Sequence, residues 1–417
     1  MKKLVVFFIL IFYSNLYALT LEDAIDYGIK NYNLLAEQKY KKDASLLRYK
    51  ASLDPYYPYL DIGIGYSNYI NSHINPAIDN KGFYSGSLSL GYKIYEPRRE
   101  HQKNNQQYVY LYEKYQIDVI KNDLIKLIKD YYYKAVSDRE IAKIREESYQ
   151  LAQKIYELSK AKFEVGIARI SEVSQSRVNL ENSKMELLNA KAALAKSLSD
   201  LSSLIALEVK PEDLLDGLSI FSIPVAEEEL RKLAVERRPE IIKELINEKR
   251  LEVERRLTRA DFYPSITASL IYRRYDDKFF PSPDESRFDI NLTYNVFSGF
   301  GKFYRMDASK LEMEAQKKRL DETKRNIYLE IKKNYIDMDT AFQRIKAAED
   351  ILAAAEKTYE QTYEEYRIGR GDILNLIQSE LNLASARIQK VNAFYLLYQA
   401  KNSLERAVGL TNIEELK

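Results

Sequence analysis

Two hydrophobic periods alternate along this chain. Residues 20–52 carry apolar positions at helical spacing, and Asp54-Pro55 with Pro58 closes the stretch. The period then falls to two. Leu60, Ile62, Ile64 and Tyr66 alternate with Asp61, Gly63, Gly65 and Ser67; past a polar loop, Leu88, Leu90, Tyr92 and Ile94 alternate with Ser87, Ser89, Gly91 and Lys93. This predicts two strands, each with one apolar face, in a β-hairpin over 59–95. Helical spacing returns from Arg98 to about Phe163 and again from Ile170 to about Ile205. Leu180, Leu187, Leu194 and Leu201 recur there at heptad spacing, a coiled-coil-like seam.

The same order then recurs. A linker over 208–226 carries Pro211 and Pro224 and holds no long period. Residues 227–257 read as a helix. Ile266, Ala268, Leu270 and Tyr272 alternate with polar neighbours, and so do Phe288, Ile290, Leu292, Tyr294 and Val296, predicting a second β-hairpin over 265–297 with Pro281 and Pro283 in its loop. A long helix follows over about 302–366, with a seam from Ile331 through Met338, Ile345 and Leu352 to Tyr359. A last helix runs from Ile373 to about Val408. Residues 163–180 and 366–383 align without a gap: Gly166, Ile170, Gln175, Ser176, Asn179 and Leu180 meet Gly369, Ile373, Gln378, Ser379, Asn382 and Leu383. Tyr57-Pro58 meets Tyr263-Pro264. The chain is read as two copies of one unit, residues 19–207 and 227–417, with helical-hairpin tips near 166 and 369.

The pattern has physical consequences. Each long helix of about sixty residues reaches roughly 90–100 Å at 1.5 Å per residue. Such helices need long partners, and turns at Gly166 and Gly369 supply them as antiparallel hairpins. Four strands cannot close a barrel, since membrane barrels start at about eight. Pooling hairpins from three chains gives twelve strands, with the polar faces lining a wet interior. Leu88, Leu90, Tyr92, Ile94, Ile290, Leu292 and Tyr294 then face lipid. The expected fold is mostly α with transmembrane β: long helical hairpins forming an α-barrel, continued by a trimeric twelve-stranded β-barrel. The bland alternative is a secreted periplasmic coiled-coil scaffold.

Composition narrows the chemistry. Lys+Arg total 64 and Asp+Glu 62, so the net charge of +2 gives no reason to expect nucleic acid. Cysteine is absent, which excludes disulfides, thiolate metal sites and a cysteine nucleophile. The two histidines, His73 and His101, have no ligand spacing. No phosphate-binding loop or nucleophile elbow is present, so the reading is not an enzyme, with no cofactor and no metal. Lys2 and Lys3, the apolar run from Leu4 to Tyr13 and Leu16-Tyr17-Ala18 read as a signal peptide over 1–18.

Several motifs resemble the TolC family of outer-membrane efflux proteins over essentially the whole mature length. Arg238-Pro239-Glu240-Ile241 is similar to the family step that opens the second repeat, with Asn31-Tyr32-Asn33 as its partner in the first. Phe262-Tyr263-Pro264 resembles the entry into the strands, Tyr294-Asn295-Val296-Phe297-Ser298-Gly299 the exit, and Tyr366-x-x-Gly369 with Leu374, Leu376 and Gln378 the hairpin tip. The resemblance implies a homotrimer in the outer membrane that reaches into the periplasm. It also implies a periplasmic adaptor and an inner-membrane efflux pump or ABC transporter as partners, with passive conduction through the duct. The first exit motif departs, reading Tyr95-Glu96-Pro97-Arg98. The positions matching the acidic rings of some members are the amides Asn375 and Gln378, with Asp372 and Glu172 nearby.

The candidate site is therefore positional. Tyr366, Arg367, Gly369, Arg370, Asp372, Asn375 and Gln378 gather at one tip, and Phe163, Gly166, Arg169 and Glu172 at the other. Copies from three chains converge on one axis, where polar contacts hold the aperture shut and partners dock. Arg370-Gly371-Asp372 is read as turn chemistry.

Overall fold

The computed structural model describes residues 19–70, 81–221, 226–279 and 284–415. Residues 1–18, expected as a signal peptide, and His73, Pro224, Pro281 and Pro283 lie outside the described residues. The first repeat folds as α1 (Leu21–Asn31), α2 (Asn33–Ala51), β1 (Tyr59–Tyr69), β2 (Lys81–Tyr95), α3 (Pro97–Glu164) and α4 (Ile170–Ile205). The second folds as α5 (Glu227–Arg237), α6 (Pro239–Ala260), β3 (Ser265–Asp276), β4 (Asp284–Thr293), α7 (Gly301–Arg367) and α8 (Ile373–Val408). Counterparts match in length: α3 and α7 hold 68 and 67 residues, α4 and α8 hold 36 each. The duplication thus covers the whole order of elements.

Two expectations need correction. Each repeat opens with two helices, not one. Pro239 disfavours the helical region for the residue before it, so Arg238 is extended (φ −69°, ψ 115°) and α6 restarts behind it. Tyr32 breaks the first copy in the same way (φ −73°, ψ 113°) without a proline. The last strand is also shorter than its alternation. β4 ends at Thr293, so Tyr294 and Val296 lie beyond it, and Gly299 at φ +83° turns the chain toward α7. Tyr294 is exposed but is not a strand residue.

The chain forms two compact units. One comprises, of the described residues, those within 19–36, 120–238 and 326–415. Its core gathers Leu124, Ile128, Tyr132 and Val136 of α3, Leu198, Leu201 and Ile205 of α4, Ala24 of α1 and Tyr398 of α8. Gly28 lets α1 approach α3 closely, because a Cβ there would stand 2.3 Å from Ile128 Cδ1 and displace that side chain. The inter-repeat linker is not a loose tether. Val209 and Leu214 are buried in this core, and Leu214 bridges Leu19. Leu19 N donates to Asp213 O at 2.7 Å, while the Tyr132 hydroxyl donates to Leu19 O at 3.0 Å and accepts from Asp216 N at 3.3 Å. One phenol thereby ties the start of α1's approach and the linker to α3. The heptad leucines of α4 are all at least partly covered, Leu201 completely.

The other unit comprises, of the described residues, those within 37–119 and 239–325. It holds one antiparallel sheet in the order β1-β2-β3-β4. The two hairpins join through β2 and β3, which pair from Tyr84↔Asp276 to Tyr95↔Ile266. Apolar positions line up across the strands: Leu60, Leu90, Leu270 and Phe288 make one row, and Tyr92, Ala268 and Ile290 make another. Lys93, Thr267 and Asn291 make a polar row on the opposite face. The register shifts between Lys93 and Tyr95, so Ile94 is passed over and Tyr95 joins the apolar row of Ile266 and Leu292. Such a bulge re-aims a strand end. Leu88, Leu90, Tyr92, Ile94, Ile290 and Leu292 are all exposed. Among the described residues, β1 and β4 each pair on one side only.

Candidate functional site

The two hairpin tips lie in the first unit and close by the same backbone chemistry. At the first, Gly166 is left-handed (φ +77°), and the N–H groups of Ile167 and Ala168 return to Lys162 O at 2.9 and 3.2 Å. At the second, Gly369 is left-handed (φ +79°), and the N–H groups of Arg370 and Gly371 return to Glu365 O, both at 2.9 Å. These bonds satisfy the carbonyls that a helix end leaves free. The helices that leave each tip are capped differently. Glu172 Oε1 accepts from Arg169 N at 3.2 Å, whereas Asp372 Oδ1 accepts from Leu374 N at 3.4 Å. The two carboxylates of the candidate set therefore sit at helix N-termini, where negative charge is favoured.

The tips diverge at one pair of equivalent positions. Phe163 is 42% exposed, whereas its counterpart Tyr366 is 2% exposed and packs on Ile155, Ile373, Leu376 and Ile377. The Tyr366 hydroxyl donates to Glu172 Oε2 at 3.3 Å, crossing from the second hairpin to the first. Lys162 of α3 completes the clasp. Its ammonium donates to Tyr366 O and stands 4.3 Å from the centre of the Tyr366 ring. Burial first, and then the Glu172 carboxylate, push the Tyr366 phenol up to about 12, so it stays a donor at any physiological pH.

The other candidates are placed more loosely. Arg367 pairs with Glu364 on its own helix at 2.6 Å, and Gln378 donates to Asn382 at 3.0 Å. Arg169, Arg370 and Asn375 are exposed. With Phe163, Val165 and Ile167 they leave a mixed apolar and basic surface at the tips.

Sequence reasoning missed Lys162, which carries no motif. It also missed a buried polar triad along the same hairpins. Glu380 of α8 is completely buried and accepts from Ser148 Oγ of α3. The Asn179 amide of α4 faces this carboxyl, yet Glu380 Oε2 and Asn179 Nδ2 complete no hydrogen bond. Burial raises the Glu380 carboxyl above the usual range, against the pull of Ser148, Asn179 and Arg145. Each hairpin further holds one hydroxyl pair at equivalent positions, Ser159 with Ser176 and Thr362 with Ser379, both at 2.5 Å. Ser176 and Ser379 stand among the identical residues of the repeat, which was the available signal.

The family model described as outer membrane efflux protein matches residues 29–207 and 230–410, one match per repeat. The probable efflux pump outer membrane protein TtgC of Pseudomonas putida is 23% identical over 292 residues, covering 69% of this chain and 60% of that protein. The match thus spans less than two thirds of that relative's length. The fold is similar to crystal structures of CusC (TM-score 0.82, 16% identity, 94% of this chain and 92% of that one). It is likewise similar to the Campylobacter jejuni CmeC outer membrane channel (TM-score 0.81, 18% identity, 93% and 85%).

Proposed function

Because the chain belongs to the outer membrane efflux protein family, we propose that it is the outer-membrane exit duct of a tripartite efflux or type I secretion system. Its cellular place is the outer membrane. Conduction is passive, and an inner-membrane pump or ABC transporter drives the cargo through a periplasmic adaptor. The observation that carries this reading is the four-stranded sheet. Among the described residues it exposes one apolar face and leaves both edges open. Open edges and apolar rows are unstable in water. Three copies joined edge to edge make a twelve-stranded barrel that removes the edges and gives the rows lipid. A periplasmic scaffold gives those rows no apolar environment. The first turns of α7, in the second unit, also expose Tyr304 and Leu311, which an oligomer buries.

The tips supply the aperture and the docking surface for the adaptor. Tyr366, Glu172 and Lys162 clasp one hairpin to the other, and the exposed Phe163, Arg169, Arg370 and Asn375 face outward for a partner. Opening requires the second hairpin to swing from the first, which breaks the Tyr366–Glu172 bond.

The test is single-channel conductance of the purified full chain in planar bilayers. Wild type is expected to insert as an oligomer with small, infrequently open steps, and Tyr366→Phe or Asp372→Ala to enlarge or prolong them. A protein that stays monomeric and soluble without detergent ends the duct reading. Conductance that is unchanged across the whole tip cluster removes the clasp alone.

A further inference from the structure

The second unit holds a basic cavity where the sheet meets its helices. It is an open pocket of about 580 Å³ between the end of β2, the first turns of α3 and the last turns of α6. Arg99, His101, Arg256 and Arg259 line it, with Tyr56, Tyr95 and Tyr263. Two carboxylates are present but already engaged. Glu96 pairs with Lys93 at 3.5 Å; Glu100 pairs with Lys103 at 2.7 Å and accepts from the Tyr56 hydroxyl at 2.5 Å. Arg256 pairs with Glu252 at 2.7 Å. Arg99 and Arg259 have no carboxylate partner among the described residues. Arg99 is held by main-chain oxygens, Lys93 O at 3.2 Å and Pro55 O at 3.5 Å, and its guanidinium lies 4.4 Å from the centre of the Tyr56 ring. It is thus fixed in place without being neutralised. Burial first, and then Arg256, hold the His101 imidazole below its usual range, against the pull of Glu100.

Position says what an anion here belongs to. Four strand ends meet at this level: β1 starts at Tyr59, β2 ends at Tyr95, β3 starts at Ser265 and β4 ends at Thr293. Tyr95 lines the cavity and also sits in the apolar row with Ile266 and Leu292. The cavity therefore continues the apolar face of the sheet at its helix-bearing end. On the reading that this face meets lipid, the headgroups of the near leaflet lie at this height. Planar guanidiniums suit phosphate oxygens, and basic pockets at this depth hold lipid headgroups. The tyrosines offer rings to the acyl side and hydroxyls to the headgroup side.

We propose that this cavity binds the phosphate of a glycerophospholipid headgroup, with Arg99 and Arg259 as its principal partners. One lipid per protomer then fixes the level at which helix gives way to strand.

The full chain, purified in detergent, is titrated with dioleoyl phosphatidylglycerol and examined by native mass spectrometry. Wild type is expected to retain one lipid per protomer. Arg99→Gln combined with Arg259→Gln is expected to weaken retention at least about tenfold, while Arg177→Gln on α4 leaves it unchanged. Inorganic phosphate at millimolar concentration is the second arm, and it is expected neither to bind alone nor to displace the lipid. If it does both, the cavity is a free-anion site and the lipid assignment falls. Undiminished lipid retention by the double variant also overturns it, provided that the variant still sediments with outer membranes. If wild type itself does not sediment with them, the lipid-facing reading of the sheet falls, and this proposal with it.

Discussion

Gln38 of α2 donates its amide to Glu113 of α3, reaching Oε2 at 2.6 Å and the main-chain oxygen at 3.2 Å. The second repeat contains the same pair with the residues exchanged. Gln316 of α7 donates to Glu244 of α6, reaching Oε2 at 2.7 Å and the main-chain oxygen at 3.2 Å. The fold fixes the geometry and leaves open which helix supplies the donor. Converting the first pair to the arrangement of the second is therefore expected to be tolerated. Gln38→Glu alone sets two carboxylates together at a buried position and is expected to cost about 1–3 kcal/mol. Gln38→Glu with Glu113→Gln is expected to recover most of that loss. A double-mutant cycle by chemical denaturation measures it, and additive effects would show that the pair is not coupled.

Glu380 sets a pH dependence of definite sign. Its folded carboxyl is raised by burial, so folding disfavours the charged form. At low pH the group is neutral in both states and costs nothing. As pH rises through the ordinary glutamate range, about 4.3, the unfolded chain releases its proton first and stability falls. The loss continues until the folded value is passed. Glu380→Gln removes this slope, so the variant should match wild type near pH 4 and exceed it near pH 8. Denaturation midpoints at both pH values check this. Parallel midpoints would mean that the carboxyl is solvated in solution.

Tyr132 ties two segments to α3 through one hydroxyl. Tyr132→Phe keeps the ring and leaves Leu19 O and Asp216 N without that partner. A loss of about 1–2 kcal/mol is expected, with faster amide exchange at Asp216. An unchanged exchange rate there would assign the anchoring to the Leu19–Leu214 bridge instead.

Lys162 holds the main chain of Tyr366, whereas Glu172 holds only its hydroxyl. Lys162→Met is therefore expected to loosen the second tip more than Tyr366→Phe does. Protease sensitivity at 366–372 is the readout. The larger effect should belong to the lysine variant, and the reverse order would make the phenol the main tie.

Periodicity made the architecture legible because both periods report burial directly. The α7 seam from Ile331 to Tyr359 is covered at each named position, and up to the bulge between Lys93 and Tyr95 the apolar rows of the sheet join residues chosen by alternation alone. Alternation does not report where pairing stops. Tyr294 and Val296 continue the pattern after β4 has ended, because facing is a local property and pairing needs a neighbour. The break at Arg238 was readable from Pro239; that at Tyr32 had no proline to announce it. At the tips, the repeat identified equivalent positions without distinguishing Phe163 from Tyr366. The phenol is buried by residues of both hairpins, and single-strand periodicity carries no record of that. Glu380 escaped for a related reason: its neighbours Ser148 and Asn179 come from two other helices.

The strand order has one last consequence. β1 and β4 run in opposite directions at the two sides of the same sheet, so every copy carries a head and a tail that fit each other. Joining tail to head preserves the alternation of strand direction for any number of copies, and sheet curvature alone chooses when the circle closes. A copy with a defective β4 still accepts a neighbour at β1 and offers none in return. Expressed beside the normal chain, such a copy is expected to leave the whole ring unclosed.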